Sequence, residues 1–209
     1  MLYSGETENN ESKEAQKIAK SFDNCIRGAF KVDLRICLHY KELFYDVCNV
    51  EFARNGDIEK KCVSDATKVM LEGKCILDQI VKLAKLDDDA KELQVLNLQF
   101  CGLKGAIIGV RFEKTGRGYV AENVGRTLRM PIEVDNITKF FESVVAALLL
   151  VKERAEKNAS LIEASLNRDS SVFGSQSPTP NCTLLKTTWL GPKPSSPKVI
   201  PPLPQTFLC

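Results

Sequence analysis

Apolar side chains recur along this chain with two different periods, and the change between them divides it. Ala15, Ile18, Ala19, Phe22, Cys25, Ile26 and Ala29 fall three and four residues apart. That is the repeat of a helix with one buried face, and it predicts a helix over 11–30. The next stretch reads two ways. Val32, Leu34, Ile36 and Leu38 alternate as in a strand, while Phe30, Cys37, Phe44 and Cys48 also suit a helix face. No strong breaker separates them from what precedes, so continued helix is expected. Arg54-Asn55-Gly56-Asp57 is a turn with Asp57 placed as an N-cap. Ile58, Cys62, Ala66, Met70, Leu77, Ile80 and Ala84 then predict a second long helix, weakened at Gly73 and closed by Asp87-Asp88-Asp89.

Beyond that point the period falls to two. Strands are expected over 93–100, 106–113, 119–122 and 127–134, forming a small antiparallel meander covered on one side. Ile108, Val110 and Phe112 share one face of the second strand, with Ile107, Gly109, Arg111 and Glu113 on the other. Lys114-Thr115-Gly116-Arg117-Gly118 supplies the hairpin turn. In the last strand Leu128, Met130, Ile132 and Val134 are expected inward, and Pro131 marks an edge strand, where a missing N–H is harmless. Asp135 caps a closing helix over 136–166, whose Ile137, Phe140, Phe141, Val144, Val145 and Leu148 need cover from the sheet, the earlier helices or a partner. The fold class expected is therefore α+β: long N-terminal helices, a small antiparallel sheet meander, a long closing helix and a disordered Pro-rich tail. Residues 1–10 form a flexible arm, 11–90 a helical coiled-coil or bundle region, 91–168 a small α+β head, and 169–209 the tail. The tail boundary is set by proline. Eight of the nine prolines lie between Pro178 and Pro204, where they forbid helix.

Composition narrows the function classes. With 44% hydrophobic and 27% charged residues the chain is globular in character, and a net charge of +2 is too small for whole-molecule attraction to nucleic acid or lipid. The N-terminus has no apolar signal-like run, and the longest uncharged apolar stretch, Val144 to Val151, is too short to span a bilayer. A nuclear or cytoplasmic protein with no membrane partner is expected. Eight cysteines, at 25, 37, 48, 62, 75, 101, 182 and 209, include no CxxC pair, and His39 is the lone histidine. Zinc normally takes ligands in close pairs, so no metal is expected and most of the cysteines read as reduced thiols on apolar faces. Catalysis fails by absence: no nucleophile elbow, HExxH or Walker pattern occurs, and no cofactor motif. A non-enzymatic protein is expected.

Two local features could bind partners. Between Lys104 and Arg129, six cations (Lys104, Arg111, Lys114, Arg117, Arg126 and Arg129) stand against Glu113 and Glu122, a local net of +4. Arg111, Arg126 and Arg129 could contact phosphates, with Tyr119 the one obvious stacking residue, which makes a nucleic-acid-binding sheet the alternative function. In the tail, Lys198-Val199-Ile200-Pro201-Pro202-Leu203-Pro204 has the form of an SH3 or WW ligand. There Pro201, Pro202 and Pro204 would dock as polyproline II, with Lys198 meeting an acidic rim. Ser177, Thr179 and Ser196 each precede a proline and are candidate phosphorylation sites for a proline-directed kinase.

The order of helices, short meander and then Thr127-Leu128-Arg129-Met130-Pro131-Ile132-Glu133-Val134 running into Asn136-Ile137-Thr138-Lys139-Phe140-Phe141 resembles a known arrangement. It is similar to the small RWD-like heads of kinetochore coiled-coil subunits, such as the monopolin clamp subunit and the tips of the outer-kinetochore rod. The resemblance implies a protein-binding head on a dimerising stalk, with Phe140 and Phe141 facing the partner. The function expected is thus a protein-interaction or scaffold subunit of a larger intracellular assembly, kinetochore- or chromosome-associated. Its expected partners are other coiled-coil subunits or a second copy of itself, and its Pro-rich tail would recruit others.

Overall fold

The computed structural model describes residues 2–8, 13, 31–40, 42–53, 58–115 and 118–171. The elements in chain order are β1 (Leu2–Glu8), β2 (Lys31–Tyr40), β3 (Leu43–Ala53), α1 (Ile58–Ala84), β4 (Gln94–Cys101), β5 (Lys104–Phe112), β6 (Tyr119–Asn123), β7 (Leu128–Arg129) and α2 (Ile137–Ser171). Single 3-10 turns at Asp88–Glu92 and Val134–Asn136 lead into β4 and α2. The predicted helix over 11–30, the turn at 54–57 and the proline-rich tail lie outside the described residues.

The strands form one seven-stranded sheet in the order β1-β2-β3-β4-β5-β6, with β7 paired to the first residues of β5. This overturns the expected α+β arrangement of long N-terminal helices followed by a small antiparallel meander. Residues 31–40 and 43–53 are strands, and β3 pairs in parallel with β4 across the intervening α1, so the sheet is mixed. The alternation of Val32, Leu34, Ile36 and Leu38 was a strand pattern after all. The tight link between β2 and β3 is made without glycine by Glu42, at φ 62°.

α1 packs on one face of the sheet against β3, β4 and β5, where Val69, Ile76, Leu77 and Ile80 meet Val95, Ile108, Val110 and Phe112. The opposite face, carrying Cys48, Val50, Leu96, Leu98 and Ile107, takes Ala147 and Val151 of α2. Because side chains alternate along a strand, neighbouring residues such as Val95 and Leu96 serve different helices. Both faces of the central strands are therefore buried, which explains the unbroken run of six buried residues that opens β4.

α1 ends as the chain chemistry requires. Lys85 takes a left-handed conformation (φ 51°), and the Leu86 N–H donates back to the Val81 carbonyl at 3.1 Å, a Schellman closure with Leu86 fully buried. Gly73, which weakens the helix on propensity alone, lies directly against the sheet. A Cβ there would sit 2.6 Å from Asn97 Nδ2 and 2.7 Å from Val110 Cγ2. α2 is held in its second half by Asn158, whose Oδ1 accepts from the Gln94 N–H (3.4 Å) while its Nδ2 donates to the Gln94 carbonyl (2.8 Å). One fully buried side chain thus satisfies both backbone groups at the start of β4.

The last predicted strand is also corrected. Only Leu128–Arg129 joins the sheet, and of Leu128, Met130, Ile132 and Val134 only Leu128 is buried. Met130 N–H still donates to the Leu103 carbonyl at 2.8 Å, but Pro131 has no N–H to continue the ladder, and the chain leaves the sheet there.

Candidate functional site

The first half of α2 carries more apolar surface than the sheet can cover. Val144, Ala147, Leu150 and Val151 pack on the sheet and are buried or half-buried, and Phe140 is half-buried. Ile137, Phe141, Val145, Leu148 and Leu149 recur in steps of four, four, three and one, along an adjacent stripe of the same helix. Their exposures run from 43% at Ile137 to 59% at Leu149. The segment that enters the helix extends this surface, with Met130 at 49%, Val134 at 79% and Ile132 at 93% exposed. These eight side chains leave roughly 800 Å² open among the described residues, above the few hundred Å² usual for the largest apolar patch on a monomer. Scattered exposed leucines need no explanation, whereas a stripe with helical spacing does.

The apolar surface continues onto the sheet. Phe52, Phe100, Gly105 and Leu128 stand in register across β3, β4, β5 and β7, on the face that α2 covers. Phe52 stacks on Phe100 with ring centroids 5.2 Å apart and is half exposed, and Phe100 lies over Gly105, where a Cβ would meet its ring at 2.6 Å.

Of the two aromatic residues expected to face a partner, Phe141 is 57% exposed and lies in the stripe. Phe140 is half-buried, its ring tilted against Phe141 at 5.8 Å. The helical pattern already set Ile137, Val145 and Leu148 beside this pair as residues in need of cover, whereas Met130, Ile132 and Val134 were assigned inward by strand alternation. Of the basic residues expected on the sheet, Lys104 and Arg129 stand opposite one another across β5 and β7. Arg111 lies on the α2 face, half-buried, with Nε donating to Glu122 Oε1 at 3.0 Å, while Arg126, between β6 and β7, and Arg129, in β7, are exposed. Tyr119 is occupied as well. Its hydroxyl donates to Asp78 Oδ1 at 2.5 Å, its ring packs on Phe112 at 5.0 Å, and Lys74, itself ion-paired with Asp78, sits over it at 5.1 Å. Lys198, Pro201, Pro202, Pro204, Ser177, Thr179 and Ser196 lie outside the described residues.

A second cluster went unforeseen. Between α1 and the sheet, Arg35 forks to Asp46 Oδ2 at 2.8 Å and to Glu72 Oε2 at 3.2 Å, with all three side chains buried. Cys37 Sγ donates to Asp46 Oδ1 at 2.9 Å, Asn49 Nδ2 donates to Glu72 at 3.4 Å, and Asn97 Oδ1 accepts from the Asn49 N–H at 3.1 Å. Lys68 donates to Glu51 Oε1 at 2.7 Å. Burial raises the Glu51 carboxyl above its ordinary range, and the Lys68 ammonium works against that rise. Burial also pushes the thiols of Cys37 and Cys48 up to about 12, with Asp46 adding to the effect at Cys37. Both are protonated at neutral pH and poor nucleophiles. Cys101 is disulfide-bonded, whereas Cys37, Cys48 and Cys75 are free and buried. Among the described residues no group of three or more His, Cys, Asp or Glu side chains could hold a metal. No described helix is long and apolar enough to cross a membrane.

No family model, curated protein or solved structure matches the chain. The likeness to kinetochore heads accordingly has no relative to carry it.

Proposed function

We propose that the chain is a non-enzymatic interaction subunit of a larger assembly and that it docks through the exposed stripe of α2 and the segment leading into it. The observation that carries this reading is the exposure of Ile137, Phe141, Val145, Leu148 and Leu149 along a helix whose adjacent face is already packed on the sheet. Apolar area of this size costs free energy in water at about 25 cal/mol per Å², and a partner that covers it recovers that cost. Aromatic and aliphatic anchors of this kind dominate the energetics of protein interfaces. The stripe is also nearly free of charge, since Lys139 and Glu142 are the only charged residues between Ile137 and Val151. An apolar contact of this composition is insensitive to salt, unlike phosphate recognition.

The test is affinity purification of the tagged chain from its own cells, beside a Phe141→Glu, Leu148→Glu variant with an unchanged melting temperature. Loss of the same co-purifying proteins from the variant, with no effect of moderate salt, supports a docking stripe. An unchanged set of proteins overturns it.

A further inference from the structure

We infer that the partner seated on the α2 stripe is a second copy of this chain, its α2 running antiparallel to the first and crossing near Val145. The inference rests on the docking reading above and names its occupant. Three observations lead to it.

The stripe is self-complementary about the midpoint between Val144 and Val145. Reversing the helix about that midpoint sets Phe141 opposite Leu148 and Ile137 opposite Lys152, with Val145 of one copy opposite Val144 of the other beside the two-fold axis. Large side chains thereby face large ones at matched heights along both helices.

Charge points the same way. Lys152 closes the stripe at its C-terminal end, while Glu133 and Asp135 flank its N-terminal end, all exposed. An antiparallel pair lays the Lys152 stem over the Ile137 of the other copy, with its ammonium toward that copy's Glu133 and Asp135. A parallel pair would instead set Lys152 against Lys152 and Asp135 against Asp135. The present contact of Lys152, with Glu156 at 2.6 Å, is an exposed pair that yields easily.

Area is the third. The exposed apolar side chains from Met130 to Leu149 offer roughly 800 Å², about what each partner contributes to a standard specific interface.

The experiment is analytical ultracentrifugation of the purified full chain from below 1 µM to tens of µM, with variants chosen to leave the core alone. Wild type is expected to be a dimer. Leu148→Glu is expected to weaken it by about a hundredfold or more. Lys152→Glu is expected to weaken it by about tenfold, and combining it with Glu133→Lys and Asp135→Lys to restore it, because the reversed charges again meet across the two-fold axis. A chain that stays monomeric across this range overturns the second copy. So does a dimer indifferent to Leu148→Glu, or a charge reversal without rescue. If the chain is monomeric while Phe141→Glu still strips proteins from the affinity purification, the docking stripe stands and its occupant is another molecule.

Discussion

The two helices face the same sheet and break the rule of apolar-inside, polar-outside in opposite directions. α1 buries charge: Arg35, Asp46, Glu51, Asp65 and Glu72 lie beneath or on it, each less than a tenth exposed. α2 exposes grease: its first half leaves Phe141, Val145, Leu148 and Leu149 more than half open to water. Buried charges are tolerated where they are paired, and removing one member leaves the others stranded. Exposed apolar side chains contribute little to the isolated fold, so replacing them disturbs little within it. The α1 side should therefore answer mutation with unfolding, and the α2 side with loss of association.

The largest expected effect is at Arg35. Arg35→Met strands Asp46 and Glu72 together and should cost about 3–5 kcal/mol in chemical denaturation. Replacing all three at once, with Asp46→Leu and Glu72→Leu added, should recover most of that loss, since an apolar set of similar volume needs no pairing. If the triple variant is less stable than Arg35→Met, the network is more than a matched set of charges. Next is Asn158→Leu, which leaves the Gln94 N–H and carbonyl buried without partners and should cost about 2–3 kcal/mol, with faster amide exchange at the start of β4. Gly73→Ala forces α1 off Asn97 and Val110 and should cost about 1–3 kcal/mol, although alanine favours helix. The smallest effect is at Leu148, where Leu148→Glu should move stability by no more than about 0.5 kcal/mol while changing association strongly. A large loss of stability there would mean that the stripe is part of the core and would erase the contrast between the helices.

The buried thiols on both faces of the sheet also carry a pH signature. The Cys37 thiol, in the ionic cluster, and the Cys48 thiol, on the sheet's other face, are raised in the folded state from an ordinary 9.0 to about 12. The unfolded chain loses these protons first, so their contribution to stability is whole below pH 9 and drains away as pH rises toward 12. Glu51 acts in the same direction at lower pH, because its raised carboxyl favours the fold below the ordinary carboxylate range and loses that advantage as pH rises through its folded value. Denaturation midpoints of Cys48→Ala and wild type should converge with increasing alkalinity. Parallel curves would show that the Cys48 thiol does not titrate with unfolding.

What could be read without coordinates divides along the same line. α1 was legible because breakers bracket it: a Gly-Asp turn before Ile58 and three aspartates after Leu86. β4, β5 and β6 were legible to within two residues because both faces are apolar or plainly alternate. β2 and β3 were not. The residues between the apolar positions of β2 are Asp33, Arg35, Cys37 and His39, and polar residues there argue for solvent, whereas Arg35 is buried by partners 11 and 37 residues away. The parallel pairing of β3 with β4 spans a 27-residue helix, and no local pattern reports a contact so distant in sequence. Half of the candidate surface was legible, since the helical spacing of Ile137, Phe141, Val145 and Leu148 already asked for cover. The other half was hidden because Leu128, Met130, Ile132 and Val134 alternate perfectly, and only the missing N–H of Pro131 warns that the ladder stops.

The docking stripe is tested most directly by hydroxyl-radical footprinting read residue by residue, on the chain in its native assembly and on the purified chain diluted below 1 µM. Phe141, Leu148 and Leu149 are expected to be protected severalfold in the assembly, while Leu43 and Phe44, exposed at the far hairpin, react equally in both. Equal labelling of Phe141, Leu148 and Leu149 in the two states would contradict a docking face on α2.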